Sequence, residues 1–117
     1  MTNGFQAGDF LIFQIESGYG LLRILDIEKD EKGENIWHVA AYNDLFPDIE
    51  FAEMGISNGL TVDVPHVALT NRAFESTQVS KIENQPLTTD ELQGYENWKA
   101  SEREISDRSI RLILGLR

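Results

Sequence analysis

The sequence predicts an α+β fold: a curved antiparallel sheet that starts with a three-strand meander and carries one helix in the C-terminal half at about residues 89–103. Three observations carry this expectation. The run Asp9–Glu28, DFLIFQIESGYGLLRILDIE, is a pair of apolar segments around Ser17-Gly18-Tyr19-Gly20, the pattern of a β-hairpin. A third β-rich segment, Ile36–Tyr42, follows after a short charged loop. Pro86-Leu87-Thr88-Thr89-Asp90-Glu91 is a helix start, with Thr88 and Glu91 spaced as a capping box and acids in the first turn, where the helix dipole favours them.

Along the chain, Asp9–Glu16 alternates Leu11, Phe13 and Ile15 with Phe10 and Ile12. Apolar residues on both faces mean a strand covered on both sides. In Leu21–Glu28, strict alternation puts Leu21, Leu25 and Ile27 on one face and Leu22 and Ile24 on the other, with a polar exit through Asp26 and Glu28. Gly18 and Gly20 are read as supplying turn backbone angles. The loop Lys29–Asn35 leads into Ile36–Tyr42, and consecutive strands with short links pair as a meander. Asn43–Asp48 breaks the pattern at Pro47, which cannot donate to a ladder.

Ile49–Ser57 has helical spacing at Ile49, Ala52, Glu53 and Ile56 but is short, and it is left unassigned. Asn58-Gly59 is a turn before a strand at Leu60–Val64. Beyond Pro65, His66–Leu69 reads as another strand and Thr70 as the cap of a short helix, Asn71–Ser76. Gln78–Glu83 alternates again. The helix after Thr88 is expected to run to Arg103, burying Leu92, Tyr95 and Trp98, with Gly94 costing about 1 kcal/mol relative to alanine. Ser109–Leu116 alternates Ile110, Leu112, Leu114 and Leu116 and is expected to be a strand pairing back on the sheet. The competing pattern is a two-turn helix capped by Ser106 and stopped by Gly115.

One domain is expected over residues 1–117, long enough to bury a core without staples. The absence of cysteine excludes disulfides, thiolate metal sites and cysteine nucleophiles. The N-terminus has no basic segment followed by an apolar one, and no apolar run approaches the ~20 residues of a membrane span, so a cytoplasmic protein without a membrane partner is expected. Net charge is −10 and uneven: residues 1–70 hold 12 acidic and 3 basic side chains, residues 71–117 hold 8 and 7. Such a surface repels a phosphate backbone, which makes nucleic acid a disfavoured partner, and attracts a basic protein.

The partner-binding candidates are Asp44, Phe46, Asp48, Glu50, Phe51 and Glu53, carboxylates that steer a basic partner beside aromatics that anchor it. Trp37 and Tyr42 complete the aromatic cluster, with core positions the commoner role for such residues. No catalytic residue, metal ligand set or cofactor motif is assigned. The calcium-loop pattern fails at Glu31 and Trp37, and neither a phosphate-binding glycine motif nor GxSxG is present. His38 and His66 lie in separate segments; with nearby carboxylates they define an alternative, a small metal-dependent hydrolase. Pairing Glu28 with Ile36 would set Asp26 opposite His38, where a carboxylate orients an imidazole. A plain structural hydrogen bond is the expected role of that pair. Arg103, Arg108, Arg111 and Arg117 form a basic concentration, with Arg108 and Arg111 expected to neutralise the acidic first part of the same chain. Gripping an anion and docking against the acidic sheet of a second copy are the other uses open to them.

Gly8-Asp9-Phe10, Gly18-Tyr19-Gly20 and Arg23-Ile24-Leu25 together resemble the opening of the immunity protein 26 family of bacterial toxin loci. The resemblance covers about the first 28 residues. It implies that the curved sheet is a small SH3-like partial barrel that binds another protein, and an acidic immunity protein facing a basic toxin suits the charge count. It assigns no functional residue.

Overall fold

The computed structural model describes residues 4–116. It contains β1 (Asp9–Ile15), β2 (Gly18–Lys29), β3 (Asn35–Phe46), α1 (Ile49–Asn58), β4 (Val62–Thr70), α2 (Asn71–Glu75), β5 (Val79–Asn84), α3 (Thr89–Lys99) and α4 (Ile110–Leu114). The strands form one curved, unclosed antiparallel sheet in the order β4-β3-β2-β1-β5. The α+β class and the opening meander are as the sequence predicts.

Both faces of the sheet are covered, as the doubly apolar β1 requires. Leu11, Phe13, Ile15, Leu22, Ile24, Trp37 and Val39 face one core, closed by Ala73 and Phe74 of α2 and by Ile110, Ile113 and Leu114 of α4. On the other face, Phe10, Ile12, Leu21 and Tyr42 pack under Ala52 and Ile56 of α1, while Leu25 and Ala40 pack under Tyr95 of α3.

The hairpin turn is Glu16-Ser17, one step earlier than expected. Gly18 holds a φ of 152° there, whereas Gly20 lies inside β2 opposite Phe13. A Cβ at Gly20 would stand 2.5 Å from the Phe13 ring, so this glycine makes room for a core side chain and supplies no turn angle.

Two bulges set the faces. In β2 the register steps from Ile24↔Val39 to Asp26↔His38, leaving Leu25 extra. The bulge reverses the alternation beyond it. Ile27 therefore joins the core of Leu22 and Ile24, against the expectation that it shares a face with Leu25, and Asp26 and Glu28 turn towards His38 and α3. In β4 the register steps from Val39↔Val67 to Ala41↔Val64. Pro65 sits in that irregularity on an edge strand, where a missing N–H costs no ladder bond. What the sequence suggested as two strands around Pro65 is thus one.

Three other segments depart from expectation. β3 continues through Asn43–Phe46 before Pro47 ends it, and α1 is a helix whose N-cap Asp48 accepts the Phe51 N–H at 2.9 Å. α3 carries the expected capping box but stops at Lys99, after which Trp98 Nε1 donates to Glu104 O at 2.7 Å and the chain turns back with Arg103 at φ 57°. The C-terminal segment is a helix, not a strand, capped by Ser109 and stopped by Gly115 in the left-handed region. Ile110, Ile113 and Leu114 share its core-facing side, and the outer edge of β4 is met by Ser106 in a parallel bridge with Leu69.

The side chain that ties the second face together is Arg23, 2% exposed. Its Nε donates to Gly8 O at 3.0 Å, NH2 to Gln85 O at 2.8 Å, and NH1 to Glu91 Oε2 at 2.5 Å, with the guanidinium 4.1 Å from the Phe10 ring centroid. Glu91 loses some solvation, which raises its pKa, but the Thr88 N–H and Arg23 outweigh this and hold it below the usual carboxylate value. Replacing Arg23 with Leu takes the donor from Gln85 O and from the partly exposed Glu91, while Gly8 O keeps the Gln85 N–H at 3.1 Å. The expected cost, read from chemical unfolding, is about 1–3 kcal/mol; a loss under about 0.5 kcal/mol would remove Arg23 from this role.

Candidate functional site

Two sites compete. The first is the segment singled out in the sequence. Its six candidates fall on the end of β3 and on α1, and they do not all face outward. Asp44 accepts the Thr61 N–H at 2.6 Å and Asp48 is spent on the helix cap. Phe46 is half-buried, packed in the α1 core so closely that a Cβ at Gly55 would lie 2.5 Å from its ring. Phe51 is 51% exposed, and Glu50 and Glu53 are exposed with it. Burial of Ala52 and Ile56 fixes which side of α1 faces the sheet. The same helix then turns Phe51 and Met54 (54%) outward, whereas Ile49 (48%), on the flank next to Ala52 and Ile56, borders a groove with Ile12 and Tyr19; Leu45 (48%) is exposed at the end of β3. Ile49, Met54 and Leu45 are surface residues that the sequence reading did not single out. Residues 44–58 contain no lysine or arginine, and none of their four carboxylates forms an ion pair among the described residues. Trp37 and Tyr42 are buried core residues, stacked on Phe74 and Phe10.

The second site was not legible as a site. His38 and His66, read as separate, are in direct contact: His38 Nδ1 lies 3.0 Å from His66 Nε2. The register does set Asp26 opposite His38, but the bond goes to Glu28, whose Oε1 is 2.5 Å from His38 Nε2. The longer side chain reaches diagonally across the strands. Asp26 instead accepts the Tyr95 hydroxyl at 2.6 Å. Tyr95 and Trp98 of α3 roof the pair, with ring centroids 4.4 and 4.6 Å from that of His38. Gly94 permits this closeness: a Cβ there would stand 3.0 Å from the His66 Cβ.

Electrostatics follow from the packing. Burial pushes His38 below its ordinary pKa, although the Glu28 hydrogen bond and charge pull upward. Burial, with the charge of His38 as the lesser cause, pushes His66 down to about 4. Burial and the Asp26 bond together raise Tyr95 far above its ordinary value. At neutral pH both imidazoles are uncharged, and the pattern determines the tautomers. As a carboxylate, Glu28 only accepts, so the His38 proton is on Nε2. His38 Nδ1 is then an acceptor and receives the hydrogen bond donated by His66 Nε2–H. His66 Nδ1 is left as the open lone pair of the chain.

This arrangement orients and neutralises imidazoles. It brings no third metal donor: among the described residues no group of three or more His, Asp or Glu side chains converges as a ligand set. The expected neutralisation by Arg108 and Arg111 is also absent from the ion pairs among the described residues; Asp107 pairs with Arg72, and Arg111 Nε is buried without a partner. Arg117 lies outside the described residues. No helix among the described residues is long and apolar enough to cross a membrane. Comparison of the chain with protein-family models, curated proteins and solved structures returns no significant match.

The histidine pair makes stability depend on pH with a definite sign. Both folded pKa values lie below the unfolded 6.5, so their contribution is complete above pH 6.5 and is lost as pH falls towards about 4. His66 alone supplies up to about 3 kcal/mol of this loss. Unfolding free energies at pH 7.5, 6 and 5 should fall in that order, and His66→Gln should flatten the slope. An unchanged slope in the variant would contradict the assignment.

Proposed function

We propose that the protein is a non-catalytic protein-binding module of the immunity or adaptor class, acting in the cytoplasm, whose α1 surface meets a basic protein partner. The observation that carries this reading is the exposed Phe51 and Met54 of α1, in a stretch that also exposes Leu45 and Ile49 and holds four carboxylates and no basic residue between positions 44 and 58. Apolar anchors in a segment of one charge suit a partner of opposite charge: the carboxylates steer the encounter and the apolar side chains, once covered, hold the complex. The resemblance of the first 28 residues, which implies a small-barrel protein bound to a toxin, supports the same partner class. Nucleic acid is disfavoured by the −10 net charge.

The test is capture of the basic partner on immobilised protein, followed by association kinetics with that partner. Association is expected to slow steeply between ~50 and ~500 mM salt, where screening shortens the reach of surface charge. Phe51→Ala and the double variant Glu50→Lys with Glu53→Lys are each expected to weaken binding by about tenfold or more. Association independent of salt, or insensitive to all three substitutions, would overturn the reading.

One observation favours the metal-dependent hydrolase: two imidazole nitrogens 3.0 Å apart are close to the ~3.3 Å separating two ligands of a tetrahedral zinc ion. Elemental analysis after purification in the presence of zinc distinguishes the two. The expected content is far below one equivalent. Stoichiometric metal that disappears in His66→Ala would transfer the conclusion to the hydrolase.

A further inference from the structure

Beside the histidine pair lies a groove of about 400 Å³ bordered by His66, Val67, Trp98, Glu104, Ile105 and Ser106. It is distinct from the α1 surface. We propose that this groove is a seat for one arginine or lysine side chain of the basic partner, a second anchor point that rests on the partner class assigned above.

The chemistry of the lining argues for that occupant. No lysine or arginine is part of the groove lining; Arg103 lies outside it, its guanidinium 5.9 Å from the Trp98 ring centroid and not paired with Glu104. The Glu104 carboxylate makes no hydrogen bond or ion pair among the described residues; its backbone carbonyl alone is used, by Trp98 Nε1. His66 spends its one proton on His38, which leaves its other nitrogen with a lone pair and no donor. The open carboxylate and the open imidazole nitrogen are therefore acceptors; the Ser106 hydroxyl, which accepts the Arg108 N–H, is the one further polar side chain of the lining and its rotatable proton can turn aside. Two acceptors, one of them charged, call for a cationic ligand that carries donors. Ile105, 44% exposed, with Val67 and the Trp98 ring, offers apolar surface to an aliphatic stem. A donor-bearing head on an apolar stem is an arginine or lysine side chain, and the volume accommodates it. The groups facing His66 from the packed elements are His38 and Glu28 on the sheet and Tyr95 on α3, with Lys99 directed over the Tyr95 ring.

The experiment titrates the whole chain with Nα-acetyl-arginine amide, Nα-acetyl-norleucine amide, Nα-acetyl-glutamate amide and free arginine, following backbone amides and imidazole nitrogens by NMR. The expected result is saturable shifts at Val67, Ile105 and Ser106 with the arginine amide, at least about tenfold weaker with norleucine, and none with glutamate. His66 is expected to carry its proton on Nε2. Glu104→Gln, a surface change that leaves the core alone, should weaken the arginine probe about tenfold. Equal response to norleucine, no saturable shift, or a His66 proton on Nδ1 would overturn the seat. Tighter binding of free arginine than of its amide would assign the groove to a small molecule and overturn the partner assignment. Loss of the groove leaves the α1 reading standing, because that reading is measured with α1 variants. A groove that binds the arginine amide while the α1 variants do nothing separates the two in the other direction.

Discussion

Burying one guanidinium is the constraint around which the second face of this molecule is built. Arg23 points inward from the middle of β2, where an uncompensated charge costs several kcal/mol. Its neutralisation requires three distant parts of the chain to meet: Gly8 ahead of β1, the Gln85-Pro86 link after β5, and Glu91 in the first turn of α3. Gly8 is held at φ 92°, and a Cβ there would stand 2.5 Å from Gln85 O. The neighbouring Asp9 is buried and ties β1 to β5 through Asn84 and Lys81. Residues 8, 9, 10 and 23 carry much of the resemblance noted in the opening, and here each has a structural duty. That opening pattern encodes a way of closing the fold.

Once Glu91 is fixed by Arg23 and Thr88, the direction of α3 is set, and α3 brings Tyr95 and Trp98 over the histidines. The β2 bulge supplies the matching half by turning Asp26 and Glu28 to the same face. The buried polar groups of this region are paired with one another, and the resulting network positions α3 and leaves one imidazole lone pair open. The arrangement resembles the orienting half of a catalytic or metal centre without its reacting half.

The parts of the fold written in local chemistry were legible: the hairpin, the third strand, the Thr70 and Thr88 caps, and the doubly covered β1. What escaped were features that depend on pairing rather than on neighbours in sequence. A bulge inverts alternation without leaving a mark in it, so Ile27 lies on the face opposite to the one that strict alternation gives it. Pro65 looked like a strand break because its edge position was not known. Arg23 sat in an apolar run with nothing to say which carbonyls would meet it. The C-terminal segment has period-two alternation and helix caps at once, and contact of Ile110, Ile113 and Leu114 with the core decided between them. Of the candidate surface, Glu50, Phe51 and Glu53 are exposed, while Asp44, Phe46 and Asp48 are occupied in holding the helix and loop in place.

The account's central claim is that folding consumes the polar interior and leaves the α1 surface to act by contact. Hydrogen–deuterium exchange of the complex with the proposed basic partner tests this most directly. The account predicts slowed exchange across residues 45–58, centred on the first two turns of α1. Protection elsewhere on the molecule, with α1 exchanging as it does in the free protein, would contradict it.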